Sequence, residues 1–275
     1  MKKKLLIYAN YFYPEIASTS QLLTDLSIEL QNDFDITVIC SIPCYTGKIE
    51  NKYLTKKFSF EKLQNIKIIR VKVTEFNKQS KKSRVLHILS YYFNSKSATK
   101  LLEKQDYILT ISQPPILGGM LGVYGKKKTH GKLIYSIQDF NPEQTMAVNY
   151  SKNKLVLKFM LWFDKRTCRK SDLVVTVGQD MQKNLINRFN NKNVPNNTVI
   201  NNWINESEIY PLNKNDKQII DFKKKYKLEN KFIIMYSGNI GLFYDLENII
   251  KLFKKYNDRD DIIFAFIGEG TMIEF

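Results

Sequence analysis

Two carboxylates follow one of the most apolar segments of the chain. In "KLIYSIQDFNPEQT", Asp139 ends the apolar run and Glu143 lies in the loop after it. A carboxylate at the end of a buried strand can act as a general base or bind a substrate hydroxyl. The structural alternative is that Asn141, just before Pro142, caps a helix. We predict Asp139 and Glu143 as catalytic residues.

Glycines after two apolar runs near the end of the chain form a second group of candidates. In "FIIMYSGNIGLFYDLENII" the apolar run is interrupted at Gly238 and Gly241 and then resumes with helical spacing. Such a bend before a helix N-terminus can present backbone N–H groups to a phosphate. The segment "IGEG", with Gly268 and Gly270, repeats the pattern after the next run. A glycine pair is by itself a weak signal.

The loop after the first apolar run, "NYFYPEIASTSQ", is the third candidate. Ser18 and Gln21 fit a capping box, which predicts that a helix begins there. The small side chains of Ser18, Thr19 and Ser20 would also let a ligand approach the backbone, and ordinary capping explains them equally well. The loop contains no glycine, which argues against the G-x-G-x-x-G fingerprint of nicotinamide and flavin enzymes.

The other reactive side chains form no catalytic or metal-binding pattern. Cys40, Cys44 and Cys168 are odd in number and lack paired metal-ligand spacing, so we predict buried free thiols. His87 lies in a helical pattern and His130 in a basic turn, and both are predicted to be structural. No Ser–His–Asp order, P-loop or zinc spacing is present. We therefore predict neither a metal nor a cofactor.

These candidates follow segments that alternate between strand and helix patterns. The strand-like runs are apolar on both faces, which is typical of a parallel sheet covered by helices. The runs are "KKLLIYA", "DITVIC", "IKIIRVKV", "YILTIS", "KLIYSIQD" and "DLVVTVG", and the helical segments include Gln21–Gln31, Ser83–Glu103 and Leu155–Arg169. The alternation predicts an α/β fold with a doubly wound sheet, whose ligands bind at the carboxyl ends of the strands. In "SQPPILGG", the prolines are read as turn residues, and Gly118 and Gly119 allow close packing of a helix or a ligand.

A polar, turn-rich stretch, "NRFNNKNVPNNT", interrupts the alternation before strand and helix patterns begin again. We predict two Rossmann-like domains, residues 1–210 and residues 211–275. The second contains one strand, one helix and one more strand, which is too little to enclose a core of its own. We therefore expect an incomplete second domain, or another polypeptide that completes it.

The composition of the 275 residues narrows the class of partner. Hydrophobic residues make up 43%, and the formal net charge is +16. That charge favours an anionic partner, such as nucleic acid, a phosphorylated substrate or the inner leaflet of a membrane. General use of lysine at solvated positions is the alternative. The run "LLIYA" is too short for a signal peptide, which predicts a buried first strand and a cytosolic protein.

Five segments, taken in order and spacing, resemble the GT-B glycosyltransferases of family 4, in the branch that assembles bacterial surface polysaccharides such as capsule and O-antigen. They are "YFYPE", "SQPP", "QDFNPE", "VINNWINESEIYP" and "YSGNIG". The resemblance covers nearly the whole chain. It implies retaining transfer of a sugar from a nucleotide-diphosphate donor to a lipid-linked saccharide at the cytoplasmic membrane face. The first domain would bind the acceptor and the second the donor.

The resemblance also implies roles for particular residues. Gly238, Asn239 and Gly241 match the glycine loop that faces the donor diphosphate, and Gly268 and Gly270 are assigned to the donor side with them. Many members have Arg after the first glycine and Lys a few residues later, where this chain has Asn239 and Tyr244. Ser18, Thr19 and Ser20 would form the acceptor-side loop. Asp139 is the nearest match to the catalytic histidine of several relatives, and the E-x7-E motif of the family would lie beyond Phe275.

Other partners and functions remain open at this level. The segment "KKSRVLHILSYYFNSK" suits contact with an anionic membrane surface, and a helix with one core face and one solvated basic face is the alternative. A non-catalytic module or split subunit that binds acceptor or partner, and a sugar-nucleotide epimerase, are the alternative functions. We predict no nucleic-acid binding, because the chain has no aromatic RNA platform or recognition-helix signature.

Overall fold

The computed structural model describes residues 2–45, 47–77, 80–147, 153–241, 244–270 and 272–273. The chain divides into two compact units. The first comprises Met1–Met146 and Ser151–Trp203, and the second comprises Ala147–Tyr150 and Ile204–Phe275.

The first unit alternates strands and helices, as the apolar pattern predicts. Its strands are β1 (Lys3–Ala9), β2 (Phe34–Ser41), β3 (Phe58–Leu63), β4 (Ile66–Val71), β5 (Tyr107–Ile111), β6 (Lys132–Ile137), β7 (Leu173–Thr176) and β8 (Asn197–Val199). Its helices are α1 (Ser18–Leu30), α2 (Lys81–Thr99), α3 (Leu117–Thr129), α4 (Glu143–Ala147), α5 (Lys154–Lys170) and α6 (Gln179–Arg188). The predicted strands and helices are all present, with ends that differ by a few residues.

The strands of this unit form one sheet in the order β3-β4-β2-β1-β5-β6-β7-β8. Every neighbouring pair is parallel except β3 with β4. The chain order reverses between β1 and β5, which makes their carboxyl ends the topological switch point of a doubly wound sheet.

Strand β3 was not predicted from the sequence. It is an antiparallel edge strand joined to β4 through Gln64 and Asn65, and Gln64 has a φ of 51°. A positive φ at a hairpin turn matches the twist of the two strands. The run "FSFEKL" mixes apolar and polar residues, unlike the two-sided apolar runs of the central strands. Phe60 is exposed, and Glu61 pairs with the buried Arg70.

Side-chain alternation along β1 divides the core between the two faces of the sheet. Leu6 and Tyr8 belong to a buried cluster that includes residues of α2 and α3. Leu5 and Ile7 belong to the cluster on the opposite face, which α1 covers. Helix α3 packs between α2 and α5. These layers hold the carboxyl ends of the strands, and the loops that follow them, in fixed positions.

The described part of the second unit contains helices α7 (Lys217–Lys225) and α8 (Leu246–Phe253) and strands β9 (Phe232–Ser237) and β10 (Ile262–Ile267). The two strands are parallel, with Phe232 opposite Ile262. Phe253 of α8 stacks on Phe264 of β10, with ring centroids 3.7 Å apart. This is the predicted strand–helix–strand unit, preceded by α7, which the sequence pattern did not indicate.

Candidate functional site

Four segments, which follow β1, β5, β6 and β8, meet at the carboxyl edge of the large sheet through side-chain hydrogen bonds. Thr19 Oγ1, in the first turn of α1, donates to Gln113 Oε1 after β5 at 2.7 Å. The neighbouring Ser112 Oγ accepts from the backbone N–H groups of Gln138 and Asp139, at 3.0 and 3.2 Å. Asn202 Nδ2, after β8, donates to Gln138 Oε1 at 2.9 Å. The candidate residues after β1, β5 and β6 therefore belong to one connected edge.

Asp139 lies in the loop directly after β6, and its side chain reaches solvent. Within the described ranges, no lysine, arginine or histidine forms an ion pair with its carboxylate. Desolvation by the surrounding protein raises the pKa of Asp139 above its ordinary value. A carboxylate with raised basicity and solvent access has the properties required of a general base.

Glu143, the second predicted acid, begins α4 and contacts Arg188. Arg188 Nε donates to Glu143 Oε1 at 2.6 Å, and Nη2 donates to the backbone oxygen of Asn141 at 2.7 Å. The guanidinium also lies over the ring of Phe140, 4.3 Å from its centroid. Arg188 thus holds the loop that carries Asp139, and Glu143 helps to hold Arg188.

A buried acid completes this ion-pair network. Arg188 also pairs with Asp164 of α5, which accepts a hydrogen bond from the Tyr135 hydroxyl at 2.7 Å. Asp164 is 3% exposed, and burial raises its pKa although Arg188 opposes the shift. Sequence reasoning missed both Asp164 and Arg188. The sequence did contain a signal for Asp164. The spacing of apolar residues in α5 predicts a core-facing side of the helix, and this aspartate lies on that side.

A second buried arginine holds the loop after β1 in the same way. Arg70 of β4 is 1% exposed, and its Nη2 donates to the backbone oxygen of Tyr13 at 2.6 Å. Its Nε donates to Glu61 Oε2 at 2.6 Å. In both loops the carbonyl that accepts from arginine precedes a proline, Pro14 or Pro142. A charge-assisted bond to a carbonyl fixes a loop more strongly than a neutral one.

Glu15, in the same loop, is an acid that sequence reasoning did not single out. Its Oε1 accepts from the backbone N–H groups of Cys44 and Tyr45. In the described part of the chain its Oε2 is buried and has no hydrogen-bond partner. Burial raises the pKa of Glu15. It lines an open cavity of about 490 Å³ together with Pro43 and Lys48.

The three residues of the predicted acceptor-side loop have different environments. Helix α1 begins at Ser18 as predicted, but its N-cap is Ala17 and no side chain caps it, so the predicted capping box is wrong. The reason is that Ser18 already belongs to the helix, while Ala17 has the extended conformation of the cap. Ser18 is exposed, Thr19 bridges to Gln113, and Ser20 is fully buried.

Gly118 and Gly119 serve close packing of α3. A Cβ at Gly118 would lie 2.4 Å from the backbone oxygen of Ile111, and one at Gly119 would lie 2.7 Å from Thr167 Cγ2. Real Cβ atoms do not approach that closely, so the first turn of α3 packs against β5 at Gly118 and against α5 at Gly119 because these positions lack a side chain. The sequence left close packing of a helix and close approach of a ligand as alternatives, and the structure shows close packing of a helix.

An apolar cavity of about 320 Å³ opens beside the candidate edge. Its polar rim includes Thr19, Gln138 and Asn202. Its walls are apolar side chains from α1, the sheet and the segment after β8: Leu5, Leu22, Leu23, Leu26, Leu30, Phe34, Tyr107, Leu109, Ile111, Ile134, Val175, Ile200 and Trp203. It lies on the face of the sheet that α1 covers.

In the second unit, the predicted donor residues form two loops that pack against each other. Gly238 and Gly268 both have a φ of 154°. The backbone N–H of Gly238 donates to Ile267, and that of Ile240 donates to Glu269, both at 2.9 Å. A Cβ at Gly268 would lie 1.8 Å from the backbone oxygen of Gly238. Glycine is therefore required at Gly268 for the two loops to pack.

This packing uses most of the backbone donors in the first loop. The N–H of Gly241 donates to the oxygen of Asn239 at 3.0 Å, so three of the four N–H groups from Gly238 to Gly241 have backbone partners. Among the described residues, the N–H of Asn239 has none. A Cβ at Gly270 would lie 2.0 Å from the oxygen of Ile240. Beside the loops, Gly268 and the first turn of α8 line a cavity of about 290 Å³.

The remaining predictions concern cysteine, histidine and metal sites. All three cysteines are buried and free, as predicted. His87 is buried in α2 with its Nδ1 2.6 Å from the oxygen of Thr74, and burial lowers its pKa. His130 ends α3 in the left-handed conformation. The described residues contain no group of three His, Cys, Asp or Glu side chains placed to hold a metal ion.

No family model matches the chain, and no curated protein matches it in sequence. Solved structures do match it in fold. Sucrose-phosphate synthase from Thermosynechococcus elongatus aligns over 97% of this chain and 71% of its own, with 10% identity and a TM-score of 0.58.

Two other solved structures give similar alignments. Trehalose-6-phosphate synthase OtsA aligns over 98% of this chain and 66% of its own, with 12% identity and a TM-score of 0.60. Anabaena HepE, solved with UDP and glucose, aligns over 96% and 69%, with 13% identity and a TM-score of 0.52. These proteins are GT-B glycosyltransferases with Rossmann-like domains. The chain therefore has the GT-B fold.

Proposed function

We propose that this chain is a glycosyltransferase that moves a sugar from a nucleotide-diphosphate donor to a saccharide acceptor. The observation that carries the proposal is Asp139, an acid without an ion-pair partner in the described part of the chain, at the switch-point edge of a GT-B sheet. Ligands of doubly wound sheets bind at that edge. The presence of UDP and glucose in the HepE structure supports a nucleotide-diphosphate sugar as the donor class.

On the acceptor side, we assign catalysis to Asp139. Its carboxylate accepts the proton of the acceptor hydroxyl as that oxygen forms a bond to the anomeric carbon of the sugar. The bond from the anomeric carbon to the donor phosphate breaks, and the nucleoside diphosphate leaves with its electron pair. Glu143 positions Asp139 by holding Arg188 against the same loop. Ser18, Thr19 and Ser20 form the acceptor-side loop with Glu15.

On the donor side, Gly238, Asn239, Gly241, Gly268 and Gly270 bind the diphosphate. The N–H of Asn239 and the first turn of α8 supply donors to the leaving group. The proposal includes no metal and no organic cofactor. The transfer retains the anomeric configuration of the donor sugar, following the resemblance to family 4, so the acceptor oxygen attacks the same face of the anomeric carbon that the diphosphate leaves.

The acceptor in this proposal is a lipid-linked saccharide of surface polysaccharide synthesis, at the inner face of the cell membrane. Helix α2 supports the location, because Val85, Leu86, Leu89 and Phe93 are exposed beside the cations of the same helix. An amphipathic, basic helix with exposed apolar residues is typical of contact with a lipid surface. A further polypeptide that completes the donor unit remains part of the proposal. Within the described ranges, no helix combines the length and apolar character needed to cross a bilayer.

Binding of nucleoside diphosphates, measured by titration calorimetry, tests the donor side. We expect UDP or another nucleoside diphosphate to bind, and Asn239→Asp to weaken binding by about tenfold or more, because a carboxylate would repel the diphosphate. Asn257→Asp adds the same charge at an exposed position of the same unit and should leave binding unchanged. Equal binding by both variants would remove the glycine loop from the donor site.

A further inference from the structure

Helix α5 exposes large apolar side chains in its first half. Leu155, Val156, Phe159 and Trp162 are 69%, 46%, 60% and 55% exposed. A helix on the surface of a globular protein normally directs its apolar residues towards the core. Helix α5 has a separate buried face, formed by Asp164, Thr167 and Cys168. The exposed apolar residues are therefore a second, outward face.

The outward residues form one stripe that changes character along the helix. Leu155, Phe159 and Trp162 are separated by four and three positions, and these spacings place them on the same face. Arg166 and Arg169 continue the same face in the last turns of the helix, where both are exposed. The guanidinium of Arg166 lies 5.9 Å from the centroid of the Trp162 ring. The stripe is thus apolar at its start and cationic at its end.

The cationic end of the stripe opens onto a basic groove shared with α3. The groove has a volume of about 940 Å³ and is lined by Lys126, Lys127, Arg166, Arg169 and Lys170. Among its described lining residues Asp172 is the one acid, and it pairs with Lys126 at 2.6 Å. The groove therefore keeps an excess of positive charge beside the apolar stripe.

We infer that the outward face of α5 docks on a lipid bilayer with anionic headgroups. Leu155, Phe159 and Trp162 enter the boundary between headgroups and acyl chains, where tryptophan is favoured because its ring is apolar and its N–H is polar. The cations of the basic groove bind the lipid phosphates. The apolar stripe beside the basic groove favours this partner over two others. A nucleic acid would use the cations alone. The apolar centre of a protein interface is depleted in lysine.

Docking in this way would also orient the candidate site. Helix α5 connects β6 to β7, which are parallel, so it runs from the carboxyl edge of the sheet back towards the amino edge. Its apolar first half therefore lies towards the edge that carries Asp139. The candidate site would then lie beside the membrane surface, where a lipid-linked acceptor is held. The inference rests on α5 and does not require the proposed transferase activity.

Vesicle binding by the complete chain tests this inference. Phosphatidylcholine vesicles with and without phosphatidylglycerol are sedimented with the protein, and the bound fraction is measured. We expect binding that requires phosphatidylglycerol. The double variant Phe159→Ser/Trp162→Ser should lose about tenfold or more of its partition coefficient. The control Ile209→Ser/Tyr210→Ser removes two equally exposed apolar residues outside α5 and should bind like the unaltered chain.

Tryptophan emission gives a second readout, in which the Trp203→Phe chain keeps α5 unaltered. The chain has two tryptophans, Trp162 and Trp203. In the Trp203→Phe chain, Trp162 should shift to shorter wavelength and be quenched by brominated lipid. In the Trp162→Phe chain, Trp203 lines the cavity on the opposite face of the sheet and should do neither.

Three results would overturn the inference. One is equal vesicle binding by the Phe159/Trp162 variant and the unaltered chain. Another is emission from Trp162 that does not change with vesicles. The third is DNA binding that the Phe159/Trp162 substitutions weaken as much as vesicle binding, which would assign the face to nucleic acid. Failure of sugar transfer would leave all these readouts unaffected, so the two proposals fail separately.

Discussion

At the scale of single residues, environment separates four acids that all lie near the candidate edge or beneath it. Glu143 and Asp164 share Arg188, and Glu15 accepts two backbone N–H groups. Asp139 has no ion-pair partner among the described residues, and desolvation raises its pKa. Burial raises the pKa values of Glu15 and Asp164 as well, but their carboxylates are held by backbone N–H groups or by Arg188, whereas the carboxylate of Asp139 reaches solvent. This contrast is why we assign catalysis to Asp139.

Replacement of Asp139 by asparagine tests that assignment. We expect Asp139→Asn to lower the rate of sugar transfer by roughly 10²–10⁴-fold, the usual contribution of a general base. The transfer rate of the unaltered chain should fall as the pH falls through the raised pKa of Asp139, because protonation removes the base. Comparison of pH–rate profiles of the two proteins is the measurement.

Stability provides the control for this substitution. Because the pKa of Asp139 is raised on folding, the folded state binds the proton more tightly than the unfolded chain does. The charged carboxylate therefore lowers stability once the pH exceeds the unfolded pKa. Asp139→Asn should not lower the free energy of unfolding at neutral pH, as measured in urea. Loss of stability together with activity would indicate a structural role instead.

Loss of Arg188 should lower stability strongly. Arg188→Met leaves the buried Asp164 without its cation, and we expect the free energy of unfolding to fall by about 3–5 kcal/mol at neutral pH. The penalty should shrink as the pH is lowered and Asp164 becomes protonated. The control is Arg259→Met, since Arg259 and Asp261 form an exposed pair, whose loss should change the free energy of unfolding little. Equal losses in the two variants would contradict the account of the Arg188 network.

At the scale of elements, the central strands and the main helices were predictable because a parallel sheet buries both faces and leaves uninterrupted apolar runs. Strand β3 was not, because Ser59, Glu61 and Lys62 interrupt its apolar residues. The N-cap of α1 was assigned to the wrong residue, because Ser18 and Ala17 differ by one position in the same small-residue run. Helix ends are set by backbone conformation, which a local pattern does not fix.

The contact between α3 and β5 gives a prediction at this scale. Gly118→Ala would place a Cβ 2.4 Å from a backbone oxygen of β5, and a backbone atom cannot move aside as a flexible side chain can. We expect a loss of about 1–3 kcal/mol in the free energy of unfolding. Gly178→Ala is the control, because there the nearest atom belongs to the side chain of Asp180, which can rotate. Urea denaturation of both variants tests whether close packing is the reason that position 118 requires glycine.

At the scale of the whole molecule, the resemblance of five segments to GT-B enzymes predicted the fold, and the alignment with three solved structures confirms it. The sequence was enough to predict that the candidate loops lie at one edge of the sheet, because the carboxyl ends of parallel strands share an edge. The arginines beneath the loops were not predictable, since Arg70 and Arg188 come from elements distant in sequence. The backbone N–H groups of the glycine loop donate to backbone oxygens of the second unit, and this too was visible only in three dimensions.

Product analysis tests the proposed transfer most directly. The chain is incubated with a panel of nucleotide-diphosphate sugars, with and without a lipid-diphosphate saccharide, and all products are identified by chromatography and mass spectrometry. We predict that nucleoside diphosphate and elongated acceptor form in equal amounts and only when the acceptor is present. The new linkage should keep the anomeric configuration of the donor. An epimerised donor formed without acceptor, or binding of both substrates with no product, would contradict the proposal.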